Sequence, residues 1–154
     1  MRVLLITTMP NLVADTLWTN SELEIIDCKE YSTIANRLQR SVETHVPDII
    51  ITYRCPYILP CEIYKIPLYG AYNIHPSLLP AYKGLNPWEE ILTKKETHTG
   101  VTIHRITNFV DDGEIIIQQA YDIDPTAKLS ELRHQSDQMA AILIPRLFDI
   151  VKTA

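Results

Sequence analysis

Two short polar segments of the sequence carry side chains that could do chemistry together. The first is Asn73-Ile74-His75-Pro76, in which Pro76 favours extended backbone at His75. Side chains two positions apart on a strand point to the same face, so Asn73 and His75 project together. An amide donor beside an imidazole can stabilise an oxyanion and move a proton. By itself, a pair of this kind at a strand end is more often structural than catalytic.

The second segment is Asp111-Asp112-Gly113. A carboxylate here could orient an imidazole or accept a proton, although acidic residues before a glycine are also typical of a tight turn. His104 could support such a carboxylate or lie at the surface. His98 and His104 would be about 20 Å apart on one extended strand. Because the sequence has no compact cluster of metal-binding residue types, we expect no metal site.

Length and charge limit the classes of function that the chain can have. Its 154 residues are the length of a single domain, 1–154, and its net charge is −5. That charge argues against sequence-independent binding of nucleic acid and against binding to an anionic membrane surface. All four glycines follow residue 69. A glycine-rich dinucleotide fingerprint or P-loop therefore cannot follow the first strand.

The sequence also indicates the compartment. The apolar start, residues 1–6, is too short for a secretion signal, and no apolar run reaches the ~18 residues of a membrane span. The three cysteines form no Cys-x-x-Cys pair and are expected to be buried, reduced thiols. We therefore expect a cytoplasmic protein.

The polar segments need a scaffold, and the apolar pattern predicts one. Continuous β-branched runs at 2–7 and 48–53 are typical of buried parallel strands, and a helix at 32–44, capped by Ser32, connects them. Further elements are expected as strands at 23–26, 71–75, 100–106 and 114–120 and helices from Asn86 and about 127. The order predicts a three-layer α/β domain with a mostly parallel sheet and an antiparallel edge around Asp111. Ligands of such folds bind at the carboxyl ends of the strands.

Three segments, read together, resemble the catalytic core of the folate-dependent formyltransferases. They are Asn73-Ile74-His75-Pro76-Ser77-Leu78-Leu79-Pro80-Ala81-Tyr82-Lys83-Gly84, Gly100-Val101-Thr102-Ile103-His104 and Val110-Asp111-Asp112-Gly113-Glu114-Ile115-Ile116. That family includes glycinamide ribonucleotide transformylase, methionyl-tRNA formyltransferase and amino-sugar formyltransferases. The resemblance covers about residues 47–151. It implies a Rossmann-like fold and one-carbon transfer from 10-formyltetrahydrofolate, as co-substrate, to a primary amine.

The resemblance also implies roles for individual residues. Asn73, His75 and Asp111 are expected to be catalytic, with His75 as an imidazolium, and His104 is expected to support Asp111. The residues expected to contact the folate lie in two groups on either side of its pterin: Tyr57, Ile58 and Leu59, and Phe109, Val110 and Asp112. No metal is expected to take part in this chemistry.

The acceptor of the formyl group differs among members of the family, and this sequence departs from two of them. The glycinamide enzymes carry a glycine-rich phosphate loop after the first strand and a glutamate at the position of Ala140. Between Ile6 and Leu23 this chain has no glycine, arginine or lysine, and it carries Asp15. The tRNA enzymes have a further C-terminal domain beyond the part that this sequence resembles, and we expect no tRNA acceptor.

We therefore expect a small-molecule amine as the acceptor and no nucleic acid. A loose similarity of Thr52-Tyr53-Arg54 to the sugar enzymes favours an amino sugar. Three alternatives stay open: a glycinamide ribonucleotide transformylase, a formyltetrahydrofolate hydrolase that uses water in place of the amine, and a non-catalytic folate-binding module.

Overall fold

The computed structural model describes residues 1–11 and 22–154. Asp15, and with it most of the segment between Ile6 and Leu23, lies outside the described residues. The strands are β1 (Arg2–Thr7), β2 (Glu22–Asp27), β3 (Ile49–Tyr53), β4 (Ala71–His75), β5 (His98–Arg105) and β6 (Ile115–Asp122). The helices that lie wholly within the described residues are α1 (Tyr31–Thr44), α2 (Cys61–Tyr64), α3 (Pro87–Thr93) and α4 (Leu129–Thr153).

The six strands form one sheet in the order β2-β1-β3-β4-β5-β6. Strands β2, β1, β3 and β4 pair in parallel, whereas β4–β5 and β5–β6 are antiparallel. Buried side chains of α4 cover one face of the sheet, and those of α1 and α2 cover the other. The prediction of a three-layer α/β fold with a mostly parallel sheet and an antiparallel edge is confirmed.

Two local predictions need correction. Ser32 does not cap α1, because the N-cap lies two residues earlier, at Glu30. The backbone N–H and the hydroxyl of Thr33 both donate to the Glu30 carbonyl, which draws Ser32 into the first turn. Among the cysteines only Cys28 is buried, whereas Cys55 and Cys61 are partly exposed.

The register of three adjacent strands sets up one row of polar side chains. Thr52 of β3 is paired with Asn73 of β4, and Asn73 is paired with His104 of β5. Their apolar neighbours Ile74 and Ile103 point to the α4 side, so the row itself points to the opposite face. Alternation along each strand thus places a hydroxyl, an amide and an imidazole side by side.

Candidate active site

Asn73 lies at the centre of this polar row, and its amide orientation follows from its neighbours. Its Oδ1 accepts a hydrogen bond from the Thr52 hydroxyl at 2.7 Å. Its Nδ2 lies 3.1 Å from His104 Nε2 and 3.3 Å from Asp111 Oδ1. The opposite orientation would place the amide oxygen against a carboxylate, so the NH₂ group faces Asp111.

His75 ends β4 and is almost completely buried. Its Nε2 donates to the backbone carbonyl of Tyr82 at 2.8 Å, which fixes the proton of the neutral ring on that nitrogen. The other nitrogen, Nδ1, lies 3.5 Å from Asp111 Oδ2. In the neutral ring Nδ1 therefore carries no proton and is the nitrogen that can accept one.

Asp111 contacts both histidines from the loop between β5 and β6. Its Oδ1 lies 3.5 Å from His104 Nε2, and its Oδ2 accepts a hydrogen bond from the Gly84 N–H at 2.9 Å. The backbone φ of Asp111 is 52°, in the left-handed region that aspartate tolerates better than most residues. Gly113 lets this loop lie close to β5, because a Cβ there would be 1.8 Å from the Arg105 carbonyl oxygen.

Burial and charge act on these groups in different ways. Burial lowers the pKa of His75 below its usual value, and the negative charge of Asp111 only partly compensates. Burial would raise the pKa of Asp111, but the neighbouring His104, the charge of His75 and the hydrogen bond from the Gly84 N–H outweigh it, so the pKa is lowered. The site therefore favours a carboxylate next to a neutral His75, which differs from the imidazolium expected from the sequence.

A cavity of about 630 Å³ opens over these residues at the carboxyl ends of β1, β3 and β4. Asn73, His75, His104 and Asp111 line it, so the structure brings together the four residues singled out for chemistry. The lining also includes five of the six residues expected around the folate: Tyr57, Ile58, Leu59, Phe109 and Val110. Ile58, Phe109 and Val110 are 66%, 72% and 58% exposed, which leaves apolar surface available to a flat ligand.

Asp112 is the exception among the expected site residues. It does not line the cavity; its exposed carboxylate pairs with Lys83 Nζ at 2.7 Å. The two neighbouring carboxylates therefore differ sharply in surroundings, because the left-handed backbone at Asp111 turns one side chain inward and leaves the next in solvent. Its position does not support contact between Asp112 and the pterin.

Sequence reasoning gave no individual role to a second group of polar residues at the cavity. Arg54 follows β3 directly and Arg133 lies on α4, and both line the cavity together with Trp88. Asp137, one turn further along α4, is buried and accepts a hydrogen bond from the Tyr53 hydroxyl. Arg54 and Asp137 are 83 residues apart in the sequence, so no local sequence motif predicts their contact.

Two kinds of feature are absent from residues 1–11 and 22–154. No group of three or more histidine, cysteine, aspartate or glutamate residues there could hold a metal ion. In the same ranges, no helix has the length and apolar character needed to cross a membrane.

Comparison with known proteins identifies the family to which this chain belongs. The family model described as "Formyl transferase" matches residues 12–147. This chain belongs to the formyl transferase family. Its sequence is 34% identical over 107 residues to a methionyl-tRNA formyltransferase of Thermotoga maritima, a match covering 70% of this chain and 34% of that protein. The chain thus spans about a third of the length of this curated relative.

Solved structures show that the fold is shared more widely. A phosphoribosylglycinamide formyltransferase from Anaplasma phagocytophilum superposes with a TM-score of 0.78 at 21% identity, covering 99% of this chain and 87% of its own. A formyltetrahydrofolate deformylase from Pseudomonas syringae gives a TM-score of 0.77 at 18% identity, and the match covers 96% of this chain and 59% of the deformylase chain. At these identities the likeness establishes the formyltransferase fold, a Rossmann-like α/β fold, and not the reaction.

Proposed function

We propose that this chain transfers a formyl group from 10-formyltetrahydrofolate to the primary amine of a small acceptor, with an amino sugar as the favoured class. The observation that carries the proposal is the contact of Asn73 and both histidines with Asp111 beside an open cavity. Membership of the formyl transferase family supports the formyl donor, and the similarity of Thr52-Tyr53-Arg54 to the sugar enzymes supports the acceptor class.

The first step forms a bond between the amine nitrogen and the formyl carbon. The carbonyl electron pair moves onto oxygen, and Asn73 Nδ2 stabilises that oxyanion by turning one N–H from its 3.3 Å contact with Asp111 to the substrate. His75 Nδ1 accepts the proton that the amine nitrogen loses. The imidazolium formed in this way lies 3.5 Å from the Asp111 carboxylate, which stabilises it when it appears.

The second step breaks the bond between the formyl carbon and N10 of the folate. The electron pair returns from oxygen to carbon, and His75 gives its proton to N10. The products are tetrahydrofolate and the formylated amine, and His75 is neutral again. Because Nε2 stays bound to the Tyr82 carbonyl throughout, the ring keeps its orientation while Nδ1 alone exchanges the proton.

The folate is held, in this proposal, by the backbone of Tyr57, Ile58 and Leu59 on one side and by Phe109 and Val110 on the other. Main-chain groups recognise the polar edge of the pterin, and the exposed apolar side chains cover its faces. The folate itself carries the one-carbon unit, so the protein contributes orientation and charge stabilisation.

The test is a measurement of tetrahydrofolate formation from 10-formyltetrahydrofolate with and without a panel of amines. The panel includes a free amino sugar, a nucleotide-linked amino sugar and glycinamide ribonucleotide. We expect product formation that depends on an amine and is fastest with an amino sugar. Formate release at the same rate without any amine would instead identify a hydrolase. A folded chain that binds reduced folate but forms no product would identify a binding module.

A further inference from the structure

Arg54, Trp88 and Arg133 form a cluster at the cavity that the proposed chemistry does not use. The guanidinium carbon of Arg54 lies 5.2 Å from the centroid of the Trp88 ring, and that of Arg133 lies 5.5 Å from it. Trp88 is itself held by a hydrogen bond from its Nε1 to the Ser136 hydroxyl at 2.9 Å. A buried, anchored indole thus holds two cations at the cavity that contains His75.

The acidic partners of this cluster leave the two guanidinium groups incompletely paired. Arg54 Nη1 lies 3.4 Å from both oxygens of Asp137, and that carboxylate also accepts from the Tyr53 hydroxyl. Arg133 Nη2 lies 3.9 Å from Glu89, an exposed residue. Both separations exceed the roughly 2.7–2.9 Å of a strong charge-assisted hydrogen bond.

Arg133 also carries a donor without a partner. Its Nε is buried and makes no hydrogen bond to any of the residues that the structure describes. A buried donor of this kind costs free energy unless something satisfies it. An anionic ligand in the cavity would supply acceptors to both arginines.

We infer that Arg54 and Arg133 bind an oxyanion group, a phosphate or a carboxylate, of the molecule that accepts the formyl group. The planar fork of a guanidinium matches such groups with two parallel hydrogen bonds, and stacking on Trp88 holds both forks in place. The inference deepens the proposed function, because it depends on formyl transfer for the identity of the molecule that carries the oxyanion.

An oxyanion could also come from the glutamate tail of the folate. The segments proposed to hold the folate, Tyr57–Leu59 and Phe109–Val110, offer backbone groups and apolar side chains. Arg54 and Arg133 are the two arginines that line the described part of the cavity, and no lysine lines it. Arg54 and Arg133 are therefore available to bind the amine acceptor, and we infer that this acceptor carries a phosphate or a carboxylate.

The first experiment measures binding of inorganic pyrophosphate by isothermal titration calorimetry. We expect Arg133→Gln to weaken binding by about 10-fold to 100-fold, the range for a hydrogen bond to a charged group. Arg54→Lys, which keeps the charge opposite Asp137, should also weaken binding, because an ammonium lacks the fork. Arg146→Gln is the matched control, since it removes an exposed arginine of the same helix. Absence of pyrophosphate binding to the unaltered protein, or an equal loss in Arg146→Gln, would overturn the inference.

The second experiment assigns the oxyanion to one of the two substrates. The affinity for 5-formyltetrahydrofolate is compared between the unaltered protein and Arg133→Gln, alongside the same pteridine lacking its glutamate. Folate affinity that Arg133→Gln leaves unchanged supports the acceptor. A 10-fold loss of folate affinity in Arg133→Gln that disappears when the glutamate is absent would show that the arginines bind the folate tail. That result would refute binding of the acceptor by these arginines. Neither experiment needs catalysis, so failure of the amine panel is distinguishable from failure here.

Discussion

Replacing Asp111 by asparagine removes one charge from the proposed site and leaves its shape nearly unchanged. Asparagine tolerates the left-handed backbone found at Asp111, so the loop can keep its conformation. The neighbouring Asp112→Asn removes the same charge from a solvent-exposed carboxylate paired with Lys83. The two variants are therefore a matched pair that differs in whether the carboxylate faces His75.

The size of the effect follows from the distance between the Asp111 carboxylate and His75. At 3.5 Å and an effective dielectric constant of about 20, attraction between a carboxylate and an imidazolium is about 5 kcal/mol. Compensating hydration and rearrangement reduce this value. We therefore expect kcat to fall by about 10²-fold to 10³-fold in Asp111→Asn, because the imidazolium forms only during the reaction.

The assay follows tetrahydrofolate formation with the best amine of the panel, together with thermal unfolding to show that both variants are folded. Asp112→Asn should keep kcat within about 3-fold of the unaltered enzyme, as a weak surface ion pair allows. A larger loss of kcat in Asp112→Asn than in Asp111→Asn would refute the reasoning, because it would mean that Asp112, and not Asp111, is the carboxylate that acts on His75.

Three further predictions concern the oxyanion donor, the loop and the buried histidine. Asn73→Ala should lower kcat by about 10²-fold to 10³-fold, or about 2.7–4 kcal/mol, while the rise in melting temperature caused by reduced folate persists; near-normal turnover would remove Asn73 from the mechanism. Gly113→Ala should destabilise the fold by about 1–3 kcal/mol in urea unfolding and reduce kcat, because its Cβ would meet the Arg105 carbonyl oxygen; an unchanged midpoint would contradict that close approach. The free energy of unfolding should fall as pH falls from about 6.5 towards the lowered folded-state pKa of His75, because the unfolded chain takes up the proton first. His75→Asn should remove that part of the slope, and a slope unchanged in this variant would show that His75 does not cause it.

The fold could be predicted because its signals are local. Continuous apolar runs, such as the one that forms β3, identify buried strands, and alternation along β4 places Asn73 and His75 on one face. The predicted cap of α1 was wrong because a serine near a helix start is a weak signal. The helix begins at Tyr31, and the Glu30 carbonyl receives the hydrogen bonds instead.

The proposed catalytic residues and the arginine cluster differ in how far the sequence could identify them. Asn73, His75 and Asp111 stand in short segments with a recognisable order, so the sequence alone is enough to single them out. Arg54 and Arg133 meet over Trp88 only because β3 and α4 converge at the cavity. Their contact depends on packing between distant segments, which hydrophobic periodicity does not specify.

Transfer of a radiolabelled formyl group tests the central claim most directly. The donor is 10-formyltetrahydrofolate labelled in its formyl carbon, and the label is followed into the amine product by chromatography. We predict that the unaltered protein moves the label to an amine and that Asp111→Asn, folded and able to bind reduced folate, does so at least about 10²-fold more slowly. Label released only as formate, or transferred equally fast by Asp111→Asn, would contradict formyl transfer through the Asn73, His75 and Asp111 site.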